Sequence, residues 1–510
     1  MPSGSEAAKS QEHSPEGANG SRTSSGTLNE QRENHEENDR SKQEDDQGQE
    51  EKGESGPPPP VGFFDKRLHA TRIDVAKKYV LTTIILMVFI LCVLSLYWAV
   101  LFRVEENMSA LTAIVVDFDG QSAPYQNVQP IVGPALTQAA RQTRMPTGTI
   151  GWEVMDPAMF NFDPIAVRQY IYDEHAWVAV IINNNATALL RAAVQTGNVS
   201  YDPLGAAQIV YVQARDETTY ANYILPQVQQ FQTMVTTMVG SQWTSQVLGD
   251  ASLNPATYST VPQALSPAIG FSTFNLRPFL PTTATPAVTI GLIYLIILAF
   301  FSFGFYLPIY SQFVIPKGHP PMHFWELMLW RLGMVILTYF FLSLAYSLVS
   351  LSFQIPFSNT FPHNDVTVAN IPNAYGKGTF VVYWMLNWTG MAALGLASEN
   401  VTMLIGQPWT ALWLIFWVIT NVSTSFYAIP LEPGFFKWGY AWPLHNIVEA
   451  SRTILFDTHS RIGLNFGVLF AWVGINIVVF FPAAVFFRWK NTKEQMKQVP
   501  RSNLQWLLDG

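Results

Sequence analysis

Cysteine is nearly absent from this 510-residue chain, in which Cys92 is the only one. A single cysteine cannot form an internal disulfide. Charged residues are also scarce, at 13% of the chain, and the sequence has no basic face interleaved with aromatic residues, so nucleic-acid binding has no support. Hydrophobic residues make up 49% of the chain and are concentrated in blocks from which the charges are missing. This distribution predicts a membrane protein.

The sequence also lacks the motifs of two kinds of phosphate chemistry. No G-x-x-x-x-G-K-[ST] motif occurs, so the chain cannot hydrolyse ATP by the P-loop route. The motif AIVVDFDGQ, with Asp117 and Asp119, resembles the D-x-D-G of haloacid dehalogenase-type phosphatases. That chemistry needs a lysine and a later acidic pair for magnesium, but residues 103–277 contain no lysine and Gly249-Asp250 is followed by no second acid. We interpret the motif as a strand end followed by a turn, and predict no enzyme activity and no cofactor.

A metal site is not predicted either. His319 and His323 are four residues apart, but the prolines between them oppose a helix that would bring both side chains to one face.

Two segments precede the first apolar block. Residues 1–60 contain almost no large apolar side chains, which predicts a disordered, polar and acidic cytosolic tail. Residues 61–78 form a basic juxtamembrane segment, which we interpret as a positive-inside topology signal in preference to an anionic-lipid site. Its basic residues are Lys66, Arg67, Arg72, Lys77 and Lys78.

Six transmembrane spans are predicted, one before and five after a long polar segment. The first is 79–102, and the five-span permease-like membrane domain occupies 288–487. The tail 488–510 is basic, so both termini are predicted to be cytosolic and residues 103–287 to lie outside. The five later spans are predicted at 288–310, 329–352, 380–397, 409–428 and 465–487.

The span at 380–397 is interrupted by Asn387, Gly390 and Gly395. Small and polar residues of this kind predict close helix packing, which we favour over a transport site.

The segment 103–287 alternates between strand-like and helix-like patterns, which predicts an extracytoplasmic α/β domain with a small sheet. Two sequons in it, at Asn185 and Asn198, are candidate N-glycosylation sites. Strands are predicted at 111–118, 149–155, 177–182 and 207–211, and helices at 132–144, 164–174, 186–195 and 220–239.

A short amphipathic helix is predicted at 443–457, between the last two spans. Pro443 suits its first turn, while His445, Glu449 and Arg452 share one face. Because unpaired charge is expensive close to a membrane, we expect a His445–Glu449 pair and a mutual pairing of Glu449 with Arg452. The helix is expected to lie in the outer interface or to dip into it. These four residues are the candidate external exit-helix residues.

Several local patterns resemble the type-2 ABC exporter permeases and the bacterial phage-infection-protein relatives that share their architecture. The patterns are LTAIVVDFDG, DEHAWVAVIINNNATALLRAAV and WPLHNIVEASR. The last likeness covers Pro443, Leu444, Glu449, Ala450 and Arg452. With its polar head, proline-rich spacer and Trp-rich spans, the chain resembles more closely the fungal nitrosoguanidine-resistance membrane proteins, a family defined by a domain of unknown function. That resemblance implies a plasma-membrane protein linked to tolerance of toxic compounds and to lipid homeostasis.

Two functions follow from these patterns. The first is a permease-like, homodimeric protein that moves an amphipathic compound or a lipid and so confers resistance. The second is a non-transporting organiser of the membrane and regulator of lipid homeostasis, which the missing ATPase motif favours. The expected partners are membrane lipids, a second copy of the chain and an unidentified membrane or nucleotide-binding protein. The expected location is the plasma membrane, with an endomembrane as the alternative.

Overall fold

A computed structural model describes residues 60–143, 147–313, 318–320, 322–357, 375–406 and 408–498. The tail predicted at 1–60 therefore lies almost wholly outside the described residues, as does the end of the basic tail beyond 498. The chain divides into two units, residues 1–73 and 74–510. The described part of the first contains a short 3₁₀ helix, Lys66–Leu68, whose first turn is capped by the side chain of Asp65.

The first long helix, α1, spans His69–Trp98. Its 30 residues give a length of about 45 Å, which exceeds the roughly 30 Å hydrocarbon core of a bilayer. Val93 is its only buried residue, so nearly all of its apolar surface is exposed. The segment predicted as the first span lies within this helix and the turn after it.

A five-stranded mixed sheet follows, in the order β2-β1-β3-β4-β5. Strand β3 runs antiparallel to β4, and the other neighbours are parallel. The central strands β1 and β3 are continuous Val/Ile-rich runs with both faces covered, as buried strands require. The strands are β1 Thr112–Asp117, β2 Gly151–Met155, β3 Val178–Ile182, β4 Ala207–Tyr211 and β5 Phe271–Asn275.

Helices cover both faces of this sheet, and we call residues 104–288 the sheet domain. One face packs against α2, α4 and α5 through a core that contains Leu136, Leu190 and Phe231. The other face packs against α3 through Val167 and Ile171. The predicted α/β fold is confirmed. The helices are α2 Val132–Thr143, α3 Pro164–Tyr172, α4 Ala186–Thr196 and α5 Leu225–Gly249, with short helices at Val104–Asn107, Glu217–Thr219, Pro255–Tyr258 and Thr285–Val288 and a π-helical turn at Tyr220–Ile224.

The carboxyl ends of β1 and β3, where α/β sheets often bind ligands, are closed by the chain itself. Asp119 is 1% exposed, and its carboxylate accepts hydrogen bonds from Gly133 N and from Thr187 N and Oγ1. The backbone of Ser122 and the side-chain amide of Asn184 exchange two hydrogen bonds of 3.1 Å. The interpretation of this motif as a strand end followed by a turn is confirmed.

Six further α-helices follow the sheet domain in the described residues, and we call these helices, α6 to α11, the bundle. Helix α8 is its centre, since it packs against each of the other five. The helices are α6 Ile293–Ser311, α7 Phe324–Ser352, α8 Thr379–Ile405, α9 Thr410–Ser423, α10 Pro443–Phe456 and α11 Ile462–Gln498.

Five helices in the described part of the chain are long and apolar enough to cross a membrane, whereas six spans were predicted. The difference is α9, which has 14 residues and a length of about 21 Å, less than the hydrocarbon core. The prediction of a full span at 409–428 is therefore not matched by the helix length. The five segments are Lys66–Trp98, Ile290–Tyr310, Phe324–Ser352, Gly376–Ile405 and Ile462–Lys493.

Small residues on α8 allow its neighbours to approach closely, as predicted. A Cβ atom on Gly390 would lie 2.5 Å from Ile447 Cδ1 of α10, and one on Gly395 would lie 2.5 Å from Tyr339 Oη of α7. Asn387 Nδ2 donates to Ser347 Oγ of α7 at 2.9 Å. These three positions therefore serve helix packing.

Helix α10 enters the bundle instead of resting on it. Ile447 packs at Gly390, about 16 Å along α8 from its first residue, and the indole of Trp472 in α11 donates to Ala441 O just before α10. All residues of α10 except His445 and Glu449 are buried. Other parts of the chain therefore enclose α10, whereas an amphipathic helix on a surface would have one face exposed.

A buried ion pair lies elsewhere in the bundle. Arg331 of α7 donates from Nε to Glu399 Oε1 of α8 at 2.9 Å, and the guanidinium lies over the rings of Phe303, Tyr310 and Phe480. The pair therefore joins α6, α7, α8 and α11.

Candidate functional site

A cavity of about 110 Å³ lies between the sheet domain and the bundle, and we call it the junction cavity. The sheet domain supplies residues that follow α3 and precede α5, and the bundle supplies α10, the loop after α9 and the start of α11. The ionisable side chains that line it are Glu174, Arg215, Asp216, Tyr427, Tyr440, His445, Glu449, Arg452, His459 and Arg461.

Arg452 connects α10 to the sheet domain. Its Nη2 lies 3.1 Å from Glu217 Oε2 and 3.9 Å from Asp216 Oδ1, and the residue is 7% exposed. Burial works against its charge, but Glu217, Asp216 and the more distant Glu449 raise the pKa of Arg452 overall. The predicted direct pairing of Glu449 with Arg452 is wrong, because the carboxylates that contact Arg452 come from the sheet domain.

His445 and Glu449 form the other predicted pair, which is confirmed. His445 Nε2 lies 3.3 Å from Glu449 Oε1, and its Nδ1 lies 3.0 Å from Thr424 O. Asn465 Nδ2 donates to Glu449 Oε2 at 3.1 Å. Burial raises the pKa of Glu449, but the hydrogen bond and charge of His445, the Asn465 amide and Arg461 together lower it to about 2. Glu449 is therefore a carboxylate at neutral pH.

The ion pairs of Glu174, on the sheet-domain side of the cavity, are longer than charged hydrogen bonds. Glu174 Oε2 is 3.8 Å from Arg215 Nε and 3.5 Å from Arg461 Nη2, whereas a charged hydrogen bond usually measures about 2.7–2.9 Å. Arg215 is held in place by its position 3.7 Å over the ring of Trp177 and by a 3.1 Å bond from Nη1 to Ala176 O. Opposite charges thus face one another without close contact.

Four buried polar atoms of cavity residues have no hydrogen-bond partner among the described residues. His445 Nε2 and His459 Nδ1 lie 3.3 Å and 3.4 Å from the carboxylates of Glu449 and Asp173. The other two are Nε of Arg452, a donor, and Oδ1 of Asn465, an acceptor on a residue with 0% exposure. Buried polar atoms are nearly always hydrogen-bonded in proteins, so these two offer unused bonding capacity at the cavity.

Glu432 is a buried carboxyl group close to the cavity, on the loop between α9 and α10. It is 3% exposed, and neither carboxyl oxygen has a hydrogen-bond partner in the described part of the chain. Burial, and then the negative charge of Asp216, raises the pKa of Glu432 to about 9. Glu432 is therefore a neutral acid at pH 7.

A second cavity, of about 160 Å³, is lined by aromatic and aliphatic residues. It lies at the end of α1, and we call it the aromatic notch. Tyr427 lines both the junction cavity and the aromatic notch, so this one side chain borders both spaces. The notch is lined by Tyr97, Trp98, Val100, Leu101 and Tyr427.

Three of the four candidate exit-helix residues line the junction cavity, namely His445, Glu449 and Arg452. Pro443 is the buried first residue of α10 and does not line it. Asn185, at the start of α4, and the exposed Asn198 lie in the sheet domain away from the cavity.

Sequence reasoning missed the cavity residues that come from other segments. The pattern at Asp216 signals a helix start, and Asp216 Oδ1 does accept from Thr219 N at 3.0 Å. That signal does not indicate that Arg452 lies nearby. The missed residues are Glu174, Arg215, Asp216, Tyr427, His459, Arg461 and Asn465.

Comparison with known proteins identifies the family. Residues 82–478 match the model of a family described as "Protein of unknown function (DUF3533)". The chain belongs to this family. This DUF3533 protein is also 27% identical, over 441 residues, to an uncharacterized endoplasmic reticulum membrane protein of Saccharomyces cerevisiae, with 82% of each chain covered. No solved structure matches it.

The DUF3533 match begins within α1 and ends within α11, so it includes every residue that lines the junction cavity and the aromatic notch. Together with the five span-length helices, the match and the relative identify a membrane-embedded protein.

Proposed function

We propose that this DUF3533 protein is a permease-like membrane protein that moves an amphipathic compound or a lipid and thereby confers resistance to toxic compounds. The observation that carries the proposal is that Tyr427 lines both the junction cavity and the aromatic notch. A molecule with a polar and an apolar part can place one part in each space. Sites of this kind, concave and lined by aromatic residues with a few polar groups, are typical of small-molecule binding.

The position of α10 supports the proposal. Helices that enter a bundle only part of the way, together with non-helical backbone buried in protein, are features of substrate sites in transporters. Helix α10 is such a segment, because other parts of the chain bury it, and three of its ionisable side chains line the cavity. The resemblances to type-2 exporter permeases and to fungal nitrosoguanidine-resistance proteins point to the same function.

The partners and the location are part of the proposal. A homodimer and a nucleotide-binding partner follow from the permease resemblance. The plasma membrane follows from the resistance-protein resemblance, whereas the name of the yeast relative, an endoplasmic reticulum membrane protein, supports the endomembrane alternative.

The test is transport of a fluorescent amphiphile by the purified chain in lipid vesicles, with and without a proton gradient. Wild-type protein is expected to accelerate movement of the probe, and Tyr427→Ala to abolish the acceleration. Tyr294→Ala is the matched control, since Tyr294 is a 56% exposed tyrosine on α6 that lines neither space. Binding without any movement, under either condition, would contradict a permease and favour the alternative of a membrane organiser.

A test in cells uses Glu449→Ala, which removes a cavity charge at a partly exposed position. We expect loss of resistance to toxicants with unchanged surface expression. Arg452→Ala is the less informative variant, because it removes the buried charge that Glu217 and Asp216 contact and so also destabilises the fold. Wild-type tolerance in well-expressed Glu449→Ala cells would remove the exit-site role.

A further inference from the structure

We propose that the junction cavity binds a zwitterionic head group, in which one molecule carries a cation and an anion close together. The inference rests on the proposed function, because it names the class of amphiphile that the same site takes. The cavity lining presents both signs of charge, with three arginines and three carboxylates, and Glu217 beside it is bonded to Arg452 at 3.1 Å. A ligand that carries both charges complements both signs, whereas an ion of one charge complements only one. The charged residues are Arg215, Arg452 and Arg461 with Glu174, Asp216 and Glu449.

The distances favour a ligand between these charges. Asp216 is 3.9 Å from Arg452, which is bonded to Glu217 at 3.1 Å. Glu174 is 3.8 Å from Arg215 and 3.5 Å from Arg461, and both separations exceed that of a charged hydrogen bond, about 2.7–2.9 Å. A molecule that brings both an ammonium and an anionic oxygen can bond both members of such a pair, whereas a simple ion can bond only one.

Two of the unpartnered atoms give the head group an orientation. Arg452 Nε is a donor without a partner among the described residues and suits an anionic oxygen. Asn465 Oδ1 is an acceptor without one and suits an ammonium, and the amide of the same side chain holds the carboxylate of Glu449 at 3.1 Å. The anion is therefore expected at Arg452 and the cation at Asn465 and Glu449.

The size of the cavity limits what enters it. About 10–15 Å³ of such space holds one water molecule, so 110 Å³ suits a small head group and is too small for an acyl chain. The apolar part of the molecule then lies against the aromatic notch, which shares Tyr427 with the cavity.

The test measures binding to the full chain in a non-ionic detergent by microscale thermophoresis. Three lipids with identical short acyl chains serve as probes: a zwitterionic phosphatidylethanolamine, an anionic phosphatidylglycerol and a cationic trimethylammonium lipid. Free phosphoethanolamine is the water-soluble probe. We expect the zwitterionic lipid to bind at least about tenfold more tightly than the other three, which is the effect of one charged hydrogen bond.

Arg461→Gln is the test variant, because the Arg461 side chain is 43% exposed and its loss is compatible with folding. It removes one positive charge from the lining, so we expect about tenfold weaker binding of the zwitterionic lipid and stronger binding of the cationic one. A variant whose structure is only loosened would bind both the zwitterionic and the cationic lipid more weakly. Lys437→Gln is the control, since it removes an equal charge from an exposed position outside the cavity and leaves binding unchanged.

Equal affinity for the three lipids, or no effect of Arg461→Gln, would overturn the inference. Equal affinity for free phosphoethanolamine and the zwitterionic lipid would overturn the use of the aromatic notch and identify a water-soluble zwitterion as the ligand. If the proposed function alone is wrong, the chain will still bind lipids with this charge selectivity but will not transport the probe in vesicles.

Discussion

Arg277, which follows β5 of the sheet domain, holds the residue that ends α10, Asp457. Arg277 Nε donates to Asp457 O at 2.9 Å and Nη2 donates to Asp457 Oδ2 at 2.8 Å, while Tyr172 Oη donates to the same carbonyl at 2.8 Å. Asp457 has a φ of 53°, in the left-handed region that often ends a helix. The end of α10 is thus fixed by the sheet domain.

Asp457→Asn is expected to destabilise the protein by about 1.5–3 kcal/mol, because it removes the charged hydrogen bond between Asp457 and Arg277, which is 1% exposed. Asparagine tolerates the left-handed conformation, so backbone strain does not contribute. Thermal unfolding in detergent measures the effect. Glu153→Gln, at an exposed position on edge strand β2, is the control with the same loss of charge. Equal midpoints for the two variants would contradict the role of this contact.

Gly390→Ala is expected to destabilise the bundle by about 1–3 kcal/mol, since the added Cβ lies 2.5 Å from Ile447 Cδ1. Ile447→Val removes that methyl group and alone costs about 0.5–1.5 kcal/mol. The double variant should be more stable than the sum of the two single effects predicts. Additive losses in unfolding midpoints would show that α8 and α10 do not meet at this point.

Asp117→Asn is expected to stabilise the sheet domain at neutral pH. Burial, and to a smaller extent the charge of Asp119, raises the pKa of Asp117 to about 6 despite a hydrogen bond from Asp119 N. Because the folded pKa lies above the unfolded value, the carboxyl group destabilises the fold as pH rises from about 4 to 6. The gain in the free energy of unfolding is at most about 3 kcal/mol, at 1.36 kcal/mol per pKa unit, and solvent screening reduces it.

The comparison of wild type and Asp117→Asn needs two pH values. The difference in unfolding midpoint should be larger at pH 7.5 than at pH 4. A loss of resistance in cells, with normal expression, would revive a chemical role for Asp117 that its structural surroundings do not support.

Replacing one member of the Arg331–Glu399 pair should cost about 3–5 kcal/mol, since it leaves an uncompensated buried charge. The double replacement Arg331→Met with Glu399→Leu should recover most of that loss, because apolar residues of similar volume often replace a buried ion pair. Size-exclusion profiles and unfolding midpoints of both single variants and the double variant measure this. A double variant as unstable as the sum of the singles would mean that the two charges are not coupled.

Asn198 is expected to carry N-linked glycan and Asn185 is not. Asn198 is exposed, and its Oδ1 accepts from Ser200 N within the same sequon at 3.0 Å, whereas Asn185 is half-buried at the start of α4. Treatment with a glycosidase should shift the mobility of wild type and Asn185→Gln on a gel, but not that of Asn198→Gln. Cytosolic accessibility of residue 198 would overturn the predicted placement of the sheet domain outside.

Continuous apolar runs made most of the sheet predictable. The strand at 207–211 was predicted to the residue, because Ala207–Tyr211 is a buried run between turn residues. Strand β5, Phe271–Asn275, was missed, since its Ser, Thr and Asn leave no such run and it lies at the edge of the sheet. The length of α9 was overestimated because hydropathy continues past Ser423, where the helix ends.

The candidate site was only half predictable. Spacing along one helix indicated the His445–Glu449 contact, since residues four apart share a face. The same reasoning paired Arg452 with Glu449, whereas its partner is Glu217, 235 residues away in sequence. The burial of α10 was not predicted for the same reason. The sheet domain and α8, which cover it, are distant from it in sequence, and tertiary packing brings them together.

Helix α10 is held at its C-terminal end by Arg277 and Tyr172, which contact Asp457, and Ile447 in its second turn packs at Gly390 of α8. A helix of 14 residues is a stiff rod of about 21 Å. Any tilt of the sheet domain against the bundle is therefore transmitted as a displacement at the middle of α8, and the reverse also holds. Because α10 also lines the junction cavity, the shape of that cavity depends on how the sheet domain and α8 are positioned relative to each other.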